Sequence, residues 1–236
     1  MMNEYRSHPN PLLRRWRLAE GVQNCSLYYR VMRWGCRVAG AAFYHQRVYN
    51  RHHEPATGGV VYVSNHQSFF DPILVTNALS RPGNYMARDT LFRQPWFRRL
   101  IESLNAFPIQ RNKADTGALK EAMRRLKNGR TIVIFPEGTR TRDGHIGPFL
   151  PGVAVLSQRA AEWTVPVLID GAFEAWPRTQ MLPRPGRIFV EYAPAIPREE
   201  ARQYSPEEFV RRVRQTLIDM QTHLRARIGK PTLHYE

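Results

Sequence analysis

The chain has 236 residues, 42% hydrophobic and 23% charged, a balance that suits one globular domain with a sizeable core and excludes a disordered chain. Lys and Arg outnumber Asp and Glu by 35 to 20, and the net charge of +15 favours polyanionic partners: nucleic acid, an anionic bilayer or phosphorylated substrates. The two cysteines, Cys25 and Cys36, fall in one expected helix about 16 Å apart, beyond disulfide reach. Reduced thiols suit the cytoplasm, and two cysteines without a nearby Cys/His cluster do not make a structural zinc site.

Residues 1–20 are polar, basic and proline-containing, and read as a loose arm. Arg14, Arg15 and Arg17 interrupt the apolar run from Leu12 to Leu18, so no signal peptide is expected there. No uncharged stretch approaches the roughly 20 residues of a membrane span, so any membrane contact is expected to be peripheral. Residues 22–50 read as a helix with Tyr28, Val31, Met32, Trp34, Val38, Ala42 and Phe43 at apolar positions. Arg30, Arg33 and Arg37 recur on one face of it. The pattern fits an interfacial helix, and equally a helix packed on the domain with a solvated arginine face. The expected division is therefore a basic arm and amphipathic helix over 1–50, followed by a single domain over 51–236.

After Pro55 and Gly58-Gly59, strand and helix alternate. Val60–Val63 reads as a strand, residues 72–79 as a short helix, 115–128 as a helix stopped by Gly129, and Thr131–Phe135 as a buried strand. Val153–Trp163 reads as a helix, and Val165–Ile169 and Ile188–Tyr192 as strands. Ser205-Pro206-Glu207-Glu208 is a capping box with proline at the first helical position, opening a last helix that carries Phe209, Val213, Leu217, Met220 and Leu224. The sum is an α/β layered fold: a mostly parallel or mixed central sheet flanked by helices and preceded by the amphipathic segment.

Two polar blocks follow strands, at the sheet edge where α/β sites sit. The first is Asn65-His66-Gln67-Ser68-Phe69-Phe70-Asp71. Across a turn, Asp71 can accept from one ring nitrogen of His66 and make the other a better base. A turn histidine beside a capping aspartate would show the same spacing. The second block is Phe135-Pro136-Glu137-Gly138-Thr139-Arg140, in which Gly138 permits close backbone approach, Thr139 supplies a hydroxyl and Arg140 a planar fork of donors for phosphate. A solvated turn with a surface Glu–Arg pair is the alternative for this block alone.

Together, in this order and separation, the blocks resemble the glycerolipid acyltransferase family, which includes 1-acylglycerol-3-phosphate (lysophosphatidate) acyltransferases. Weaker counterparts are Asn105-Ala106-Phe107-Pro108-Ile109-Gln110-Arg111, similar to the family's strand ending in a phosphate-binding arginine, and Val165-Pro166-Val167-Leu168-Ile169. The resemblance covers about residues 58–195. Asn105 stands where the family often has glycine, and Gly171–Pro185 matches nothing in it.

The resemblance implies transfer of a fatty acyl group from an acyl thioester to the free hydroxyl of lysophosphatidate, giving phosphatidate. It implies His66 as general base and Asp71 as its orienting carboxylate. It implies Arg111 and Arg140 as a phosphate clamp, with Glu137, Gly138 and Thr139 shaping its pocket. Neither a metal nor a cofactor is implied; the co-substrate is a thioester of coenzyme A or of acyl carrier protein. A nucleophilic Ser68 is disfavoured because the Gly-x-Ser-x-Gly elbow is absent. The implied setting is the cytoplasmic face of an anionic membrane. Other acceptors remain open: glycerol 3-phosphate, a lysophospholipid with a larger head group, or a lyso-aminolipid. A nucleic-acid-binding protein is the alternative from another class, with Arg124-Arg125 or Arg211-Arg212-Arg214 on phosphates, but the sequence holds no recognised binding motif and no nucleic acid partner is expected.

Overall fold

The computed structural model describes residues 27–109 and 115–235. The expected arm, the start of the first expected helix, Cys25 and Arg111 lie outside the described residues.

The first half of the chain forms α1 (Leu27–Tyr44), β1 (Arg47–Tyr49), β2 (Val60–Ser64), α2 (Asp71–Asn77), β3 (Gly83–Arg88), α3 (Pro95–Ser103) and β4 (Ala106–Ile109). The second forms α4 (Thr116–Lys127), β5 (Thr131–Ile134), α5 (Gly152–Arg159), β6 (Trp163–Asp170), α6 (Ala172–Ala175), β7 (Phe189–Tyr192), β8 (Ile196–Pro197), α7 (Arg198–Ala201) and α8 (Pro206–Arg227). Among the described residues the strands make one mixed sheet in the order β1-β7-β6-β2-β5-β3-β4, with β8 also paired to β6. β6, β2, β5, β3 and β4 run parallel; β7 and β8 run antiparallel to β6, and β1 runs with β7.

Every residue of β2 and β5 is buried, which is why both read as unbroken apolar runs: helices cover both faces. Val61, Val63, Ile132 and Ile134 pack against Ala122, Leu126, Val153, Phe209 and Val213 from α4, α5 and α8. The alternate residues Val60, Tyr62 and Val133 face the other way, onto Leu74 and Val75 of α2 and Ala172 of α6. Helix starts follow their capping signals: Asp115 accepts from the Ala118 N–H at 2.9 Å, and Ser205 Oγ from the Glu208 N–H at 3.2 Å.

Three expectations need correction. The first helix does not continue to residue 50. It ends at Tyr44, His45 takes a left-handed φ of 39°, and Arg47–Tyr49 joins the sheet beside β7. The helix expected over 153–163 stops at Arg159, because the Glu162 and Trp163 N–H groups both donate to Gly59 O and bring the chain into β6. The arginine face of α1 is not simply solvated either. Arg37 Nε donates to Asn77 O at 2.6 Å, and Arg33 and Arg37 both donate to Leu79 O. These guanidinium groups cap carbonyls at the end of α2. One exposed side of α1 is apolar, formed by Leu27, Val31, Trp34 and Val38, while Arg30 and Arg37 are exposed beside it. No helix among the described residues is long and apolar enough to cross a membrane.

The C-terminal segment is fastened to the end of β6. Asp170, with no exposed surface, accepts from Arg225 Nε at 2.7 Å, Lys230 Nζ at 2.9 Å and Gln221 Nε2 at 3.3 Å. Removing one partner of a buried pair strands the other charge, so Arg225→Ala should cost about 3 kcal/mol of stability in urea unfolding. A loss below about 1 kcal/mol would mean that Lys230 alone satisfies Asp170.

Candidate active site

β2 lies between β5 and β6 and runs parallel to both, with Val63 level with Ile134 and Pro166. The segments that leave these strands therefore emerge side by side at one sheet edge. Asn65 fixes the exit of β2: its Nδ2 donates to Ile169 O at 2.9 Å, and its Oδ1 accepts from the Ile169 N–H at 2.8 Å. Sequence reasoning placed Asn65 in the motif without a role. Here it extends strand-like pairing through a side chain, one residue before His66.

His66 Nδ1 lies 2.7 Å from Asp71 Oδ2, joining the two residues that the sequence pairs. The same oxygen accepts from the Gln67 N–H at 2.5 Å and the Ser68 N–H at 2.7 Å. Asp71, the first residue of α2, is fully buried, and His66 is 8% exposed. The imidazole stacks on Phe135, centroids 4.4 Å apart. No hydrogen bond from the described residues occupies its Nε2. A carboxylate on Nδ1 sets the ring to carry its proton there, leaving the Nε2 lone pair to act as acceptor. Ser68, also fully buried, uses its hydroxyl to accept from the Phe70 N–H at 3.3 Å.

The second block docks onto the backbone of the first. Glu137 Oε1 accepts from the His66 N–H at 2.8 Å, its Oε2 from the Gly147 N–H at 3.1 Å, and the Thr141 N–H donates to His66 O at 2.8 Å. Both oxygens of Glu137, expected to shape a phosphate pocket, thus serve as a brace between backbone segments. Arg214 extends the brace by donating to the carbonyls of Gly147 and Ile146 at 2.9 and 2.8 Å. Gly138 turns the chain at φ 69°, and Thr139 is exposed. The Arg140 guanidinium lies 3.5 Å over the ring of Phe69, which belongs to the His66–Asp71 loop, so Arg140 sits beside that loop. Arg111 is outside the described residues. Sequence reasoning missed Trp176, whose ring packs against Phe69 and Phe70 at 4.9 and 4.7 Å. Its signal was an aromatic residue a few positions beyond a glycine at a strand end.

The sequence profile of the family described as Acyltransferase matches residues 45–170, more than half of the chain. The chain is 31% identical over 126 residues to the 1-acyl-sn-glycerol-3-phosphate acyltransferase of Bacillus subtilis (strain 168), covering 53% of this chain and 62% of that protein. It is 30% identical over 161 residues to glycerol-3-phosphate acyltransferase 1 of Arabidopsis thaliana, covering 67% and 25%. The crystal structure of the 1-acyl-sn-glycerophosphate (LPA) acyltransferase PlsC from Thermotoga maritima superposes with a TM-score of 0.71 at 26% identity, covering 84% of this chain and 80% of that one. The matches span about a third to three-fifths of the length of curated relatives from Brassica napus, Arabidopsis thaliana and Bacillus subtilis.

Burial pushes the Glu137 carboxyl from 4.5 up to about 7, against the opposing pull of the His66 and Gly147 N–H groups. A carboxyl raised in the folded state adds stability in its protonated form; that contribution is full below 4.5 and is lost as pH rises through about 7. The unfolding free energy of the wild type minus that of Glu137→Gln should therefore fall by on the order of 2 kcal/mol across this window and level off above it. A flat difference would rule out a carboxyl that titrates near neutrality.

Proposed function

Because the chain belongs to the acyltransferase family, we propose that it transfers a fatty acyl group from a thioester to the free hydroxyl of lysophosphatidate, giving phosphatidate. The observation that carries this reading is the 2.7 Å contact between His66 Nδ1 and buried Asp71. It supports an imidazole oriented for base catalysis, with Nε2 turned to the acceptor.

In this reading Nε2 takes the proton of the acceptor hydroxyl as its oxygen attacks the thioester carbonyl. A tetrahedral oxyanion forms, the carbon–sulfur bond breaks, and the departing thiolate takes the proton back from the imidazolium. Asp71 stabilises that imidazolium, as in a hydrolytic triad whose nucleophile is the substrate's own hydroxyl. Arg140 and Arg111 bind the acceptor phosphate and bring its hydroxyl to His66, an entropic contribution that can rival base catalysis. Gly138 and Thr139 line the turn that carries Arg140. The brace by Glu137 supports a further role for this residue, holding the backbone that carries the base.

The thioester is of coenzyme A or of acyl carrier protein. The acceptor follows from the names of relatives such as the Bacillus subtilis protein; likeness to a glycerol-3-phosphate acyltransferase keeps glycerol 3-phosphate as the second reading. Both acceptors present a hydroxyl close to a phosphate, so the clamp serves either. The exposed apolar side of α1, together with the net charge of +15, supports peripheral docking on an anionic membrane, at its cytoplasmic face.

Two measurements test this. With labelled acyl-coenzyme A and lysophosphatidate, His66→Ala should lower kcat by roughly 10²–10⁴ while remaining folded; near wild-type turnover removes the base assignment. In co-sedimentation, the protein should pellet with phosphatidylglycerol vesicles, and replacing Val31 and Trp34 by Asp should release it several-fold. Retention by DNA at physiological salt without vesicle binding would favour the nucleic-acid alternative.

A further inference from the structure

Gly171–Pro185 matches no motif of the family resemblance, yet it places one large aromatic side chain against the site. Trp176 is held at three points: its N–H donates to Ala172 O at 2.9 Å, its indole Nε1 to Gln180 O at 3.2 Å, and its ring packs against Phe70 at 4.7 Å. Phe70 in turn meets Tyr44 at the end of α1, centroids 5.0 Å apart. Trp176 also packs against Phe69 at 4.9 Å, and Phe69 carries the Arg140 guanidinium 3.5 Å over its ring.

Phe69 is 51% exposed, so the protein core does not fix its rotamer. Its ring is located by its contact with Trp176. A ring over a guanidinium covers the group's face and leaves its hydrogen-bond donors in the plane, the geometry a phosphate requires. Arginine has many rotamers in water, and selecting one before the ligand arrives lowers the entropy lost on binding.

We propose that Trp176 and Phe69 are positioning residues that orient the Arg140 guanidinium for the acceptor's phosphate, setting acceptor affinity without touching the reacting atoms. This rests on the reading of Arg140 as a phosphate ligand. Trp176 then belongs to acceptor recognition by acting through Phe69 and Arg140.

The test is steady-state kinetics of Trp176→Leu, Trp176→Phe and Phe69→Leu, with KM measured separately for lysophosphatidate and for acyl-coenzyme A. Trp176→Leu and Phe69→Leu should raise the lysophosphatidate KM about three- to tenfold, the scale of an exposed to partly desolvated cation–π contact. The thioester KM and kcat should stay within about twofold, and Trp176→Phe should recover most of the loss. In an Arg140→Ala background, Trp176→Leu should add nothing, because its effect runs through the guanidinium. Full additivity with Arg140→Ala, or a shift in the thioester KM instead, overturns the proposal. If Arg140→Ala leaves the lysophosphatidate KM unchanged, the phosphate-ligand reading fails; if it raises KM while both leucine variants are silent, only the stack fails. Should Trp176→Leu not fold, the half-exposed Phe69→Leu carries the same comparison.

Discussion

The site depends on two carboxylates bound to backbone N–H groups. Asp71 has no exposed surface, and a carboxyl group so placed relies on hydrogen bonds from the protein in place of water. Its Oδ2 gathers the Gln67 and Ser68 N–H groups together with the His66 ring. Those amides belong to the turn that carries His66, so the interaction that orients the imidazole also folds the loop around it. Glu137 does the same from outside, bridging the His66 and Gly147 N–H groups. With Thr141 donating to His66 O, the residue is held at both backbone polar groups and at its ring. An imidazole fixed at so many points has little rotational freedom left to lose.

The sheet makes this arrangement possible. Residues 65–71 and 135–140 are about seventy positions apart in sequence and meet only because β2 and β5 are parallel neighbours in register. β6 supplies the other flank, and Asn65 locks onto its Ile169. Asp170, the next residue of β6, is the anchor for Arg225 and Lys230. The C-terminal helix thus secures the strand end on which the site's first turn depends. Arg214 on that helix also holds the Gly147 segment that braces Glu137.

The sequence carried the buried parts of this fold clearly. Strands covered on both faces leave unbroken apolar runs, as in Val60–Val63 and Thr131–Ile134, and capped helices announce their starts, as at Ser205. It carried the pairing of His66 with Asp71 through spacing and family resemblance. Gly83–Arg88 escaped notice as a strand because Gly83, Asn84 and Arg88 interrupt its apolar pattern; Asn84 is buried by bonding to Thr131 O and Arg125 rather than by hydrophobicity. The division of work within Glu137-Gly138-Thr139-Arg140 was illegible because it depends on a neighbouring backbone. Nothing in the four residues says that one Glu137 oxygen faces the N–H of His66, far away in sequence, and the other that of Gly147, ten residues on.

The orientation of α1 was illegible for a related reason. A helix with an arginine stripe and an apolar stripe has the same amphipathic pattern whichever stripe faces the domain. Guanidinium groups settle it here, because the end of α2 offers carbonyls at Asn77 and Leu79 that Arg33 and Arg37 reach. Satisfying those carbonyls with charged donors, on the side where Tyr29 is buried, leaves Val31, Trp34 and Val38 facing outward. The same contact ties α1 to the helix that begins with Asp71, and Tyr44 adds a second link through Phe70. The exposed apolar face and the candidate catalytic turn are therefore joined at both ends of α2, so the position of His66 relative to α1 is set by that helix and not by the loop alone.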